Sequence, residues 1–407
     1  MYAKKSCPRT SLDAGRLVNH LLSNEFQAVS NPRNADLIFV FTCGGFSEYE
    51  ERSILTIQKA LKNKSAKIIV TGCLPKQNPK RLDCYRNIDV VPKADLGRID
   101  KFLQTNSKYS ESAECSVVAG IHDLCNIGFL QAARYYEFKT EYFGYCYRYV
   151  KNRVYQLLQK LPIKESDKSF SILSNYTYKI QIARGCLGNC SYCGIKLAMP
   201  KFRSYPEECI VEQFKLGLET GYRHFAILAG DIGCYGLDIK TNLSSLLDKL
   251  FAIDGDYKIV LVDLNVRWFI KYYSQLRSIL KLNFKKVAKI IVPIQSGSNR
   301  ILRLMSRHYK IEDVKKCIRD FRMNCPQIDL ETHLLVGFPG ETIEDFRQSL
   351  DLVREIKFSF IQIYGYDDRP STVASELPGK VPRELIKKRI RILEEEAALV
   401  GARTWSC

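Results

Sequence analysis

The stretch YKIQIARGCLGNCSYCG, Tyr178–Gly194, decides how the chain is read. Its first half is a short β-forming run that stops at Gly185. Its second half brings Cys186, Cys190 and Cys193 together in a C-x3-C-x2-C spacing. A strand is followed at once by a thiol-rich loop. Outward from it the grammar repeats: the apolar runs HFAILAG, KIVLVDLN, KIIVPIQ, LETHLLVG and FIQIYGY alternate with amphipathic stretches such as PEECIVEQFKLGLETG and ETIEDFRQSLDLVREIK. The first of those helices opens on Pro206 and acidic residues and stops at Gly221, as helix ends favour. Strand–helix units in series imply parallel strands, each helix being a crossover. Six such units are too few for a closed eight-unit barrel, so residues 176–407 are expected to form an open, partial (β/α) barrel. Ligands would gather at the C-terminal ends of its strands, the edge where Cys186 lies. The tail after Pro382 reads as one helix running to GARTWSC, with no further domain.

Residues 1–105 repeat this on a smaller scale. ADLIFVFT and AKIIVTG read as strands buried on both faces, with SEYEERSILTIQKALKN a helix between them. Helices are expected over Thr10–Asn24 and Ala94–Thr105, and a short first strand at MYAKKS. The expectation is a small doubly wound α/β domain. Between the two lies a linker or insertion, residues 106–175, with weak periodicity. Within it ARYYEFKTEYFGYCYRYVKNRVYQLLQK interleaves nine aromatics with basic residues. That composition suits stacking on bases and pairing with phosphates, and equally an amphipathic helical hairpin at the domain junction.

The 407 residues are 46% hydrophobic and 26% charged, enough for two domains with cores of their own. No apolar stretch is long enough to span a membrane, and MYAKKSCPRT lacks the core of a secretion signal, so a cytoplasmic monomer is expected. Fifteen cysteines, an odd number in a long chain, do not read as a disulfide framework. Lysine plus arginine exceeds aspartate plus glutamate by 62 − 44 = 18, a surplus that favours RNA or an acidic peptide.

The chemistry starts from the thiols. A [4Fe–4S] cluster takes one thiolate per iron, so Cys186, Cys190 and Cys193 would leave one iron open. A zinc site would show four ligands, usually in paired C-x2-C knuckles. Cys7, Cys43 and Cys73 stand in KSCPRTSLD, VFTCGGFSE and VTGCLPKQN. Cys43 and Cys73 each follow an expected parallel strand, so the three would converge on one sheet edge and could hold a second cluster.

The loop at Cys186 resembles the defining motif of the radical S-adenosylmethionine (SAM) enzymes, in which the open iron chelates SAM and a reduced cluster splits it into methionine and a 5′-deoxyadenosyl radical. With both cysteine sets, the chain resembles the radical-SAM methylthiotransferases over Met1–Leu82 and Tyr176–Leu393. The motifs carrying the likeness are VTGCLPKQN, the cysteine loop, FRSYP, PIQSGSNRILRLMSRHY, THLLVGFPGET and YGYDDRPSTVAS. The resemblance implies an N-terminal α/β domain on a (β/α)6 partial TIM barrel and two [4Fe–4S] clusters, with Cys186, Cys190 and Cys193 on the SAM cluster and Cys7, Cys43 and Cys73 on the auxiliary one. The auxiliary cluster would carry sulfide or polysulfide; one SAM would methylate that sulfur and another would generate the radical. A flavodoxin- or ferredoxin-type reductant is implied as well.

SAM contacts are expected from Tyr192 in the loop, Arg267 after the third strand, Gln295, Ser296 and Ser298 after the fourth, and Gly337 to Gly340 after the fifth. Each could equally be a rim or turn residue. Cys84, Cys115, Cys125, Cys146, Cys209, Cys234, Cys317, Cys325 and Cys407 read as plain thiols.

Three departures from the family's pattern stand out. The C-terminal RNA-binding TRAM domain is not seen, Gly230 stands where the family has glutamine, and Ile291 where it has histidine. Together with the Tyr-rich segment they suggest a different substrate: the missing domain favours a peptide or protein, a ribosomally made precursor peptide for example, while the basic surplus and the aromatic–basic segment fit a tRNA adenosine, and the peptide is the preferred reading. A radical-SAM enzyme with other sulfur chemistry, or with a second cluster that only passes electrons, would share every cysteine named. A non-enzymatic RNA-binding protein would not need the open iron sites.

Overall fold

The computed structural model describes residues 8–29, 31–103, 105, 107–109 and 177–406. Cys7, the expected strand MYAKKS and the Tyr-rich segment lie outside the described residues. The chain divides into two compact units. One holds the described residues up to Gln181 with Ile195–Lys201 and Tyr205–Ala226; the other holds Ile182–Gly194, Phe202–Ser204 and the described residues from Ile227 onward.

The first unit carries α1 (Pro8–Ser23), β1 (Leu37–Thr42), α2 (Ser47–Ala60), β2 (Lys67–Gly72), α3 (Leu74–Gln77) and β3 (Asp89–Val90). The strands form a parallel sheet of order β1-β2-β3. Successive strand residues face opposite sides. Ile38, Val40, Ile68 and Val70 accordingly pack against Ile54 and Ile57 of α2, while Phe39 and Ile69 meet Leu17 and Leu21 of α1. Two-sided burial is what makes this sheet doubly wound. Each such side chain contributes about 1.5–3 kcal/mol.

The helix expected over Ala94–Thr105 is a correction: residues Lys93–Lys101 form a 3-10 helix broken at Asp95 (φ −117°, ψ 27°). Its two buried residues, Leu96 and Ile99, are three apart, the repeat of a 3-10 rather than an α-helix. The unit also contains β4 (Thr177–Gln181), the short α4 (Ile195–Ala198), α5 (Glu207–Glu219) and the start of β7 (His224–Leu228). Phe214 of α5 stacks on Phe225 of β7 with ring centroids 4.1 Å apart.

In the second unit, β8 (Lys258–Leu261), β9 (Val287–Ile291), β10 (Asp329–Val336) and β11 (Phe360–Gly365) pair in parallel in chain order. The helices are α6 (Leu243–Phe251), α7 (Val266–Lys271), α8 (Tyr273–Leu282), α9 (Asn299–Leu304), α10 (Ile311–Asn324), α11 (Ile343–Ile356) and α12 (Arg383–Leu399). In α11 a Thr342–Asp345 capping box starts the helix, Phe346, Leu350, Val353 and Ile356 bury one face, and Lys357 turns left-handed (φ 52°) to end it.

The six expected strands are present, and β7 carries the order on into a seven-stranded sheet, β12-β11-β10-β9-β8-β7-β4. The seventh is a second correction: the tail is not one helix, because Arg403–Ser406 forms β12, parallel to β11. Four residues with no apolar run give no sequence signal; the strand is made by backbone pairing with β11, the edge of Trp405 against Tyr364 and the Ser406 hydroxyl on Glu394. The architecture is an α/β fold whose main sheet is a parallel partial barrel. Among the described residues no helix is long and apolar enough to cross a membrane.

Candidate active site

The cysteine loop is clamped at its base by a two-stranded antiparallel ribbon, β5 (Ala183–Arg184) against β6 (Arg203–Ser204). Inside the loop the Gly188 N–H donates to Cys186 Sγ at 3.2 Å. A Cβ built on Gly188 would stand 3.3 Å from Cys186 Sγ and 3.8 Å from Cys190 Sγ, so both thiols line the same bare stretch of backbone. Burial pushes the Cys186 thiol up to about 11. It would stay protonated unless a metal took the thiolate.

Among the described residues no three His, Cys, Asp or Glu side chains are gathered as they would be around one ion. A cubane asks for something else: each thiolate on its own iron, with N–H donors to the sulfurs. The three-thiol loop, its Gly188 donor and the bare backbone between the thiols fit that group.

Long-range contacts hold the loop. Ser191 donates from its N–H to the Met305 carbonyl (3.1 Å) and from its hydroxyl to the Leu304 carbonyl (2.7 Å), while its own carbonyl accepts from Ala374 N–H (2.9 Å). Tyr192 packs against the cluster of Ile301, Met305, Leu335, Phe338 and Ala374. Arg307 is the residue the sequence reading did not single out. It is buried, donates to the Pro293 carbonyl, and brings its guanidinium to 3.6 Å from Cys190 Sγ. Burial works against its charge, yet Tyr192, Tyr309 and Cys190 around it hold it firmly cationic. That fixed positive charge stands beside the Cys190 sulfur.

Gly230 explains one departure from the family pattern. A Cβ there would lie 2.3 Å from the Gly185 carbonyl oxygen and 3.1 Å from Cys186 Cβ. No side chain fits between this backbone and the loop. Next to it, buried Asp231 accepts N–H bonds from Gly233 (2.9 Å) and Asn265 (3.2 Å), and burial pushes it up to about 6. Cys234, also buried, donates its S–H to the Asp231 carbonyl at 3.1 Å and is held as a neutral thiol by burial.

Three consecutive strand ends turn through left-handed residues: Asp263 after β8 (φ 61°), Gln295 after β9 (φ 75°) and Gly337 after β10 (φ 78°). For a non-glycine residue such a conformation costs about 1–3 kcal/mol and tends to occur at functional sites. Gln295 is tied to β10 through its own N–H to the His333 carbonyl (2.7 Å) and its carbonyl to Leu335 N–H (2.8 Å), so its left-handed backbone is held in place. Ser296 Oγ accepts from Ser298 N–H at 3.1 Å. The Ser298 hydroxyl caps α9 and donates to Asp345 at 2.6 Å, so its side chain serves the fold. Arg267, in the first turn of α7, is exposed, with its guanidinium 4.6 Å above the Trp268 ring. Ile291, where the pattern has histidine, pairs with Glu331. Two residues on from Glu331, on the same face, His333 places an imidazole 3.9 Å from Asp263.

The bend at Gly337 is backed by α12. A Cβ on Gly337 would meet Ile386 at 2.3 Å. Glu341 accepts the Gly337 N–H at 2.8 Å and pairs with Arg389, with the two side chains 1% and 5% exposed. Burial pushes Glu341 up to about 7, opposed by that N–H and by Arg389. Arg389→Met would strand the carboxylate and should cost about 3–5 kcal/mol in urea denaturation. Glu341 would then have a folded pKa still further above its usual 4.5. A raised acid loses stability as pH rises towards its folded pKa; wild type and variant do so alike up to about pH 7, where wild-type Glu341 ionises, so the deficit should deepen above pH 7. A deficit independent of pH would contradict this.

In the first unit, β1 and β2 pair with Thr42 opposite Gly72, which sets Cys43 and Cys73 side by side one residue past the two strand ends. Strand spacing puts their backbones about 5 Å apart. Cys43 N–H is fixed by Ser53 Oγ (2.9 Å) and Cys73 N–H by the Thr42 carbonyl (3.0 Å). One helical turn after Cys73, the Gln77 side chain lies against Gly44, where a Cβ would stand 2.0 Å from its Oε1. Gln77 is 1% exposed, and neither side-chain N nor O atom has a hydrogen-bond partner among the described residues. An orphaned buried polar group costs about 1–3 kcal/mol, so this amide marks where a bound group fits.

This geometry, a partial barrel with a clamped three-cysteine loop at a strand end, defines the radical SAM class of enzyme. The Radical SAM superfamily model matches residues 180–353, and that of the Uncharacterized protein family UPF0004 matches residues 3–91. The chain belongs to the radical-SAM methylthiotransferase family. It is 30% identical over 391 residues to the probable threonylcarbamoyladenosine tRNA methylthiotransferase of Pyrococcus horikoshii, covering 95% of this chain and 81% of that one. It is 29% identical to threonylcarbamoyladenosine tRNA methylthiotransferase MtaB of Thermotoga maritima (91% and 75% covered) and 29% to ribosomal protein uS12 methylthiotransferase RimO of Clostridioides difficile (93% and 77%). Among solved structures the fold is similar to the radical SAM methyltransferase TsrM of Kitasatospora setae, with a TM-score of 0.51, 14% identity, and 89% of this chain and 67% of that one covered. The class brings a [4Fe–4S] cluster and SAM as cofactors.

Proposed function

We propose that the chain inserts a methylthio group at a carbon of a tRNA adenosine. The observation that carries the chemistry is the presence of two separate thiol sets in one chain, each at the C-terminal edge of a parallel sheet: Cys186, Cys190 and Cys193 in the clamped loop, and Cys43 beside Cys73. The tRNA assignment is supported by the names of two of the relatives above and by the surplus of 18 positive charges, which suits a polyanion.

In this reading Cys186, Cys190 and Cys193 hold the SAM-binding cluster, and Cys43 and Cys73 hold the auxiliary one together with Cys7. When bound, these groups supply the electron, the radical source and the transferable sulfur, as sulfide or polysulfide. The chain does the rest. Gly188 N–H favours a thiolate at Cys186, and Arg307 holds its guanidinium beside the Cys190 sulfur. The left-handed turns at Gln295 and Gly337, with Ser296, Gly340 and Tyr192, form the wall against which SAM is placed. Ser298 contributes by capping α9, and Arg267 by an exposed planar cation suited to a carboxylate.

The test is anaerobic reconstitution followed by reaction with SAM, sulfide and dithionite, the last in place of a flavodoxin- or ferredoxin-type reductant. Unmodified tRNA and ribosomal protein uS12 are offered in parallel. About eight irons, both S-adenosylhomocysteine and 5′-deoxyadenosine, and a methylthio-bearing nucleoside after tRNA digestion are expected. Methylthio groups on uS12 alone would overturn the tRNA assignment in favour of a protein substrate, the class that the uS12-modifying relative is named for.

A further inference from the structure

We propose that the Gln77 carboxamide hydrogen-bonds the iron–sulfur group held at Cys43 and Cys73, donating an N–H to one of its sulfurs. The inference rests on the reading of those cysteines as auxiliary-cluster ligands. Gln77 is the last residue of α3, four positions after Cys73 and thus on the same side of the turn, and its backbone N–H bonds the Cys73 carbonyl at 3.1 Å. Its side chain is pressed onto Gly44, next to Cys43, at a point where no Cβ fits. The amide therefore lies against the backbone next to Cys43, one helical turn on from Cys73.

It is 1% exposed, and both its oxygen and its nitrogen lack a partner among the described residues. Fully buried amides are bonded in native structures unless something outside the protein atoms supplies the bond. Sulfur atoms of a cluster accept N–H bonds, and those bonds tune its potential and retention. An apolar residue would serve a purely structural role better.

The test compares wild type with Gln77→Met, which keeps the length and removes the amide. In the apo-protein the substitution should raise the melting temperature, because it removes an orphaned polar group. In the reconstituted protein it should speed iron loss to a chelator about 10-fold. In the full chain carrying Cys186→Ala, Cys190→Ala and Cys193→Ala, so that one cluster gives the signal, Gln77→Met should move the midpoint potential to more negative values.

A second measurement needs no Gln77 variant: protein labelled with amide-15N glutamine should show a 15N coupling to the reduced cluster in pulsed EPR. Lower apo stability with unchanged iron release, or the absence of that coupling in fully loaded protein, would overturn the proposal. Wild type holding only about four irons, all lost with the Cys186 loop, would instead overturn the two-cluster reading beneath it.

Discussion

Gly230→Gln, which restores the residue the family pattern has at this position, is expected to empty the cysteine loop of its cluster. Reconstituted protein should fall from about eight irons to about four, and 5′-deoxyadenosine production should drop to background. The reason lies in the first atom of the new side chain. Any Cβ at 230 would stand 2.3 Å from the Gly185 carbonyl oxygen and 3.1 Å from Cys186 Cβ. The first obstacle is backbone, and it cannot swing aside as a flexible side chain would. The β5–β6 clamp fixes the base of the loop, so the strain must be relieved by moving Gly185 and with it Cys186.

Gly230→Ala isolates the effect, since alanine brings the same Cβ without the amide. Both variants should lose the cluster alike. Full iron content and wild-type SAM cleavage in either would show that the loop yields at no cost.

The second large effect separates the two thiol sets. Cys43→Ala with Cys73→Ala should leave SAM cleavage running and bring methylthio transfer to background. Iron should fall to about four per chain. The cysteine loop and its anchors, Ser191, Tyr192 and Arg307, belong to a different compact unit from Cys43 and Cys73. Measuring 5′-deoxyadenosine and methylthio product in the same reaction decides the matter. A double variant that still transfers sulfur would remove the auxiliary cluster from the mechanism; one that loses both products would mean the two sites are not separable.

The parts of this site that could be read in advance were local in sequence. The C-x3-C-x2-C loop, the alternation of apolar runs with amphipathic stretches, and the placing of Cys43 and Cys73 after strands all lie within short windows. Parallel register then brought those two cysteines abreast. Other parts depend on partners far along the chain. Arg307 reaches Cys190 across 117 residues, and nothing in SRHY announces it. Ser298 looked like a cofactor contact because of its motif, but 47 residues on Asp345 claims its hydroxyl. β12 was missed because four residues pairing through their backbone carry no periodicity. The Lys93–Lys101 helix was misjudged because its buried pair follows a three-residue repeat. Gly230 was noticed as a departure, and only the approach of the Gly185 carbonyl supplies the cause.

The ion pair behind the Gly337 bend has a consequence for how the protein is made. Glu341 leaves the ribosome 48 residues before Arg389. At about 5–20 residues per second, that is an interval of roughly 2–10 s. During it Glu341 has no guanidinium to neutralise it, and Ile386 is not yet there to brace the turn. The cysteine loop, synthesised well before, can meet iron while the Gly337 turn is still soft. Maturation thus has a built-in order: metal loading can precede the synthesis of α12, and a firm Gly337 turn cannot.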